Sequence, residues 1–152
     1  MYNKQLVLLT GLIFCLFSGF SQTREIDSLT IQLSFQEQDS LKIDTSINLI
    51  NALIENKEYI KAIQYLNKSE KLAKDLNYTS GLASINVFNA EIYLKNKDYK
   101  NAINSYNKSL QYYSKSKDSL GLAKIYQKLG ILYLELGDYS KGLKLSDSAI
   151  EI

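Results

Sequence analysis

The side chains in this chain that could do chemistry are carboxylates, lysines and hydroxyls, and their spacing gives none of them a partner. There is no histidine, so no imidazole can serve as a base near neutral pH. Glu55 and Glu58 come nearest to a carboxylate pair, but they flank a turn signal. A solvated pair is expected there, not an acid and a base with pKa values held apart. Serines and lysines are plentiful, yet no Ser–Lys pair sits inside a motif. Gly81 and Gly121 each open a Gly-Leu-Ala run and read as a recurring boundary, not as a phosphate-cradling loop. Cys15 is the one cysteine, so a chain that loses its first residues can form no disulfide, zinc thiolate or cysteine nucleophile. The expectation is a non-enzyme without catalytic residues, cofactor or metal.

The stretch 1–22 sets a location. Met1 to Lys4 is a short basic start, Leu6 to Phe17 is apolar, and small residues follow at Ser18, Gly19 and Ser21. That order is the order of a secretory signal peptide, predicting cleavage near Ser21-Gln22 and export to the periplasm or outside. The apolar run of about 12 residues is shorter than the ~20 that span a bilayer. The alternative is an uncleaved membrane anchor. Lipid attachment at Cys15 is disfavoured by bulky Phe14 before it. The remaining chain is long enough for one domain. Its 18 Lys+Arg and 16 Asp+Glu are scattered, which speaks against nucleic acid as a direct partner. With no proline, nothing interrupts long helices.

Positioning comes from a repeat. Tyr59, Tyr99 and Tyr139 are evenly spaced, and three positions after each comes a small residue, Ala62, Ala102 or Gly142. A fixed period of about 40 residues signals a stacked array. Three units follow, 39–78, 79–118 and 119–152, the last incomplete, with a one-residue slip near Asp39. Each unit reads as two helices, making the chain all-α. In the third unit Leu122, Ile125, Tyr126, Leu129, Leu132, Tyr133 and Leu136 share one helical stripe. Tyr99, Ala102, Ile103, Tyr106 and Leu110 do so in the second unit's second helix. Asp98 and Asp138 stand where second helices begin and can cap them. Gly137 suits the left-handed end of a first helix, with Asn56 and Asn96 expected to do that job in the earlier units. Residues 24–37 place Ile26, Leu29, Leu33 and Phe35 at helical spacing. They are read as an N-terminal capping helix, with a loose connector as the alternative. Asn67-Lys68-Ser69, Asn77-Tyr78-Thr79 and Asn107-Lys108-Ser109 match a glycosylation pattern, but the first and last stand one period apart and are better explained as a single repeat position seen twice.

On these residues the chain resembles the tetratricopeptide repeat proteins. Tyr126, Leu129, Gly130, Tyr133, Gly137, Asp138, Tyr139, Gly142 and Ala149 carry the pattern in the third unit. Ala90, Tyr93, Asp98, Tyr99, Ala102 and Tyr106 carry it in the second, and Tyr59, Ala62 and Leu66 in the first. The resemblance covers 39–152. It implies an α–α superhelix of about three helical hairpins plus the capping helix, in a long variant with helices of ~18 residues, about 27 Å each. Small residues at Ala62, Ala90, Ala102, Gly130 and Gly142 would let paired helices approach closely, with Tyr and Leu filling the grooves between helices.

The resemblance also implies a concave groove for a peptide or partner protein. It would be lined by Asp44, Ile47, Asn51, Ile54 and Glu55, then Ser84, Val87, Glu91, Leu94 and Lys95, then Lys124, Gln127, Ile131, Leu134 and Glu135. Asn51, Lys124 and Lys128 fall on positions that clamp a terminal carboxylate in some members, but Ile47 and Phe88 break that pattern. The chain stops inside the third unit, without the polar cap that arrays normally carry. This raises two further expectations: self-association through the last helix, or an extracytoplasmic input fragment of a bacterial signalling protein. In the latter, membrane contact would come through the N-terminal segment or a missing C-terminal part.

Overall fold

The computed structural model describes residues 24–152. The leader assigned to 1–22, with Cys15, lies outside the described residues. The helices are α1 (24–35), α2 (Ser40–Glu55), α3 (Tyr59–Asp75), α4 (Thr79–Lys95), α5 (Tyr99–Ser116), α6 (Ser119–Glu135) and α7 (Tyr139–Ile150). No strand occurs among the described residues. No helix among them is long and apolar enough to cross a membrane.

A residue in the left-handed region ends each of the helices α2 to α6. These residues are Lys57, Asn77, Lys97, Lys117 and Gly137, with φ of 62°, 53°, 57°, 57° and 83°. They are evenly spaced, at half the period of the tyrosines. The next residue's N–H reaches back five positions in every case: Glu58 to Leu53 and Tyr78 to Ala73 at 2.8 Å, Asp98 to Tyr93, Asp118 to Tyr113 and Asp138 to Tyr133 at 2.9 Å. This is the Schellman closure, which satisfies carbonyls that a helix end leaves open. It corrects the expectation for Asn56 and Asn96, which keep φ of −80° and −89° as C-caps. The reversal needs positive φ one residue later, so Lys57 and Lys97 supply it despite the steric cost of about 1–2 kcal/mol for a residue with a Cβ. The next helix then starts from an aspartate in most cases. Asp39, Asp98, Asp118 and Asp138 accept from the N–H of Lys42, Asn101, Gly121 and Lys141 at 3.0, 3.2, 2.8 and 3.2 Å.

The turns fold the chain into three hairpins, α2–α3, α4–α5 and α6–α7, and each hairpin packs on the next, with α2 also beside α4. Ala62, Ala90 and Ala102 are fully buried. In the last hairpin the closeness is more extreme. A Cβ on Gly130 would stand 2.6 Å from Ser146 Oγ and 3.1 Å from the Gly142 carbonyl oxygen. One on Gly142 would stand 3.0 Å from the Gly130 carbonyl oxygen. Two core clusters result. Ile43, Leu49, Ile50, Leu53 and Leu66 anchor the first, joined by Ile26 and Leu33 of α1. Tyr106, Ile125, Leu129 and Leu132 anchor the second. α4 serves both, giving Leu82, Ile85 and Ile92 to one and Ala90 to the other.

Two expectations about large side chains fail. Phe35 is 85% exposed, because it is the last residue of α1, past the point where the helix joins the core through Ile26 and Leu33. Tyr93, Tyr99 and Tyr139 are exposed too. Tyr99 and Tyr139 are the first residues of their helices, where fewer neighbours cover a side chain. Other tyrosines fill the space between helices. The Tyr78 ring lies 2.5 Å from where a Cβ on Gly81 would stand, and the Tyr113 ring 2.5 Å from one on Gly121. Their hydroxyls reach equivalent positions in successive units: Tyr78 donates to Asp44 Oδ1 at 2.8 Å, and Tyr113 Oη lies 3.5 Å from Ser84 Oγ.

Gly137 has open space around its Cα, so Gly137→Ala isolates backbone strain. It should cost about 1 kcal/mol in urea unfolding, while Lys97→Gly should be neutral or stabilising by a similar amount. Gly130→Leu should cost about 1–3 kcal/mol in the same assay, by overpacking. Burial first, then the bond to Asp44, pushes the Tyr78 phenol from 10.0 up to about 12. The folded chain thus keeps a proton that the unfolded chain releases, and the stability this gives is whole below pH 10 and lost as pH rises to 12. Melting temperatures of Tyr78→Phe and the natural chain should therefore differ at neutral pH and converge across that window.

Candidate functional site

The inner ends of the first helices meet in one depression of about 570 Å³, lined by residues from all three hairpins. α2 supplies Asn51, Ile54 and Glu55, α4 supplies Glu91, Leu94 and Lys95, and α6 supplies Lys128. Lys57 and Tyr59 from the first turn close one side, and Tyr106 from α5 forms the floor. A smaller adjoining depression of about 190 Å³ shares Leu94, Tyr106 and Lys128 and continues to Ile131 and Glu135. The two form a single trough crossing the hairpins.

Its electrostatics are mixed. Lys128 Nζ and Glu91 Oε1 are 2.9 Å apart, tying α6 to α4. Asn51 Nδ2 donates to Glu55 Oε1 at 3.0 Å. Lys57 and Lys95 lie at the edge. The Lys128–Glu91 pair is partly solvated, and such pairs contribute at most about 1 kcal/mol, so both groups can exchange each other for a ligand at little cost to the fold. Tyr106 is only 1% exposed. Burial, with a smaller contribution from Glu91, pushes its phenol well above the ordinary tyrosine range, so it stays protonated and able to donate.

The residues assigned from sequence divide accordingly. Asn51, Ile54, Glu55, Glu91, Leu94 and Lys95 line the main depression, and Ile131 and Glu135 the smaller one. Lys124 and Gln127 are exposed on α6 but line neither. Val87 and Ile47 are half-buried against the second and first core clusters. Asp44 and Ser84 are engaged by the tyrosine hydroxyls described above. Leu134 lines neither depression; its Cγ lies 2.6 Å from where a Cβ on Gly142 would stand, so it leans on α7. Of the clamp positions, Asn51 and Lys128 share the depression and Lys124 does not. Tyr106, Lys57 and Tyr59 were not expected as lining residues. Tyr106 belongs to a second-helix stripe, and only its length, beside buried Ala90 of α4, hints that it reaches through to the inner face.

The remaining signature residues are structural. Ala62, Ala90, Ala102, Gly130 and Gly142 are buried at helix contacts. Lys141 covers Tyr133, with Nζ 4.1 Å from the ring centroid and 2.7 Å from its hydroxyl. No group of three or more His, Cys, Asp or Glu that could hold a metal occurs among the described residues.

No curated protein matches the chain. Residues 81–152, most of α4 through to α7, match the family described as Tetratricopeptide repeat. Such repeats are generally non-catalytic protein–protein interaction modules. Together with the helical hairpins and their recurring small residues, the match supports a tetratricopeptide repeat protein.

Proposed function

We propose that the chain is an exported scaffold that holds a peptide or partner protein in the trough formed by α2, α4 and α6. One observation carries the reading: Asn51, Leu94 and Lys128, from three different hairpins, line a single depression. Ile54, Leu94 and Ile131 offer an apolar step from each hairpin in turn. Between them stand donors and acceptors of both signs, which suits an extended polypeptide with mixed side chains. The exported location rests on the composition of residues 1–22.

A second reading makes the array the extracytoplasmic input region of a bacterial signalling protein. The outward face of α7 favours it: Tyr139, Leu143 and Ile150 are exposed there, and another helix or protein would cover them. A reading frame that continues past Ile152 into a membrane segment and an output domain would decide for this version. The same face would serve self-association.

Affinity capture with the purified chain tests the trough. Leu94→Lys and Lys128→Glu should each weaken retention of the captured protein by about tenfold or more, as central interface substitutions do. Lys100→Glu, exposed on α5, should leave retention unchanged. Equal retention by all three variants would rule the trough out.

A further inference from the structure

Apart from the trough, a cavity of about 500 Å³ lies between α1 and the α2–α3 hairpin. We infer that it is a binding site for a small carboxylate with an apolar body, of the kind a medium-chain fatty acid presents. Its floor is Leu33, Ser46 and Ser69, all buried. Half-buried Tyr65 and Leu72 form its walls. Three lysines, Lys42, Lys68 and Lys71, line it, and no Asp or Glu does. Glu70, between the lining residues Ser69 and Lys71, is turned to Lys74 at 2.6 Å. Lys42 is aimed by a hydrogen bond from its Nζ to the Gln36 carbonyl oxygen at 2.9 Å. Lys68 Nζ stands 5.7 Å from the Tyr65 ring centroid. The volume falls in the range of small-molecule sites, which are mostly apolar with a few convergent polar groups.

Ser69 is the second, independent observation. It is 3% exposed, and its hydroxyl has no hydrogen-bond partner among the described residues, yet it lines the cavity. Ser109 holds the same repeat position in the next unit, and there the hydroxyl is sealed in and orphaned. In the first hairpin the neighbouring element is α1, and the space beside Ser69 stays open. Leu33, Leu72 and the Tyr65 ring fit a hydrocarbon body. The Ser69 hydroxyl, open to the cavity, and a cationic rim fit a carboxylate head. Inorganic phosphate would leave Leu33 and Leu72 uncovered, and an alcohol would leave the lysines unused.

Isothermal titration of the full chain with octanoate, octanol and inorganic phosphate tests this. Octanoate should bind saturably and at least about tenfold more tightly than either control. Lys68→Gln with Lys71→Gln should weaken octanoate by about tenfold and leave octanol unchanged, with an unaltered melting temperature. Thr30→Trp, which plugs the mouth from an exposed position on α1, should abolish binding. No saturable octanoate binding would overturn the proposal. So would octanol or phosphate matching octanoate, or octanoate binding undiminished in Thr30→Trp.

Discussion

The left-handed residue that recurs at the end of each helix from α2 to α6, Lys57 to Gly137, is the constraint on which the remaining structure depends. Each one lets the following N–H reach a carbonyl five positions back, and that bond reverses the chain. Because the interval is constant, the helices between reversals have nearly equal length, 16 to 18 residues for α2 to α6. Equal helices joined by equal turns stack in register, so a given repeat position returns to the same place in each hairpin. Asp44 and Ser84 show it directly: both meet a tyrosine hydroxyl, although those tyrosines, Tyr78 and Tyr113, come from different repeat positions.

Close approach is the second half of the mechanism. Alanine or glycine at 62, 90, 102, 130 and 142 removes the bulk that would hold paired helices apart, and larger residues then gather to either side of each contact. α4 is the pivot, apolar toward both neighbours and shared by both core clusters. The trough follows from the same economy of space. Beside the small Ala90, Tyr106 of α5 reaches the depression, where it lies among Ile54, Leu94 and side chains of both charges. The equivalent positions in the other hairpins are Leu66 and Ser146. Neither has the length and the hydroxyl to do this, so at this repeat position only the middle hairpin supplies a phenol.

The long period was plain in the sequence because Tyr59, Tyr99 and Tyr139 repeat as identical letters. The half-period was not. The left-handed residues are three lysines, an asparagine and a glycine, and only the last two are types that advertise such a backbone. Helical stripes identified Ile125, Leu129 and Leu132 as core, since spacing fixes the direction of a side chain. Spacing does not fix depth. Tyr106 is a core residue, as its stripe indicates, but its place in the lining of the trough was not legible, and Tyr99 and Tyr139, conspicuous in the sequence, are exposed. Leu134 shows a different limit. In the first two hairpins an alanine Cβ, at 62 and 102, occupies the space beside the first helix. Gly142 leaves that space open, and Leu134 packs into it against α7. Such a choice depends on one missing methyl group on another helix, which a single-helix pattern does not encode.

The claim beneath the functional reading is that three hairpins bring residues distant in sequence to one surface. The pair Asn51→Cys and Lys128→Cys, at positions that line the same depression, tests it directly in a chain with Cys15→Ser, using a short bismaleimide linker and mass spectrometry. The stacked arrangement requires an efficient intramolecular crosslink in native buffer that disappears in urea, and none for Asn51→Cys paired with Lys108→Cys on the outer helix α5. A native chain that crosslinks both pairs equally, or neither, would contradict the account.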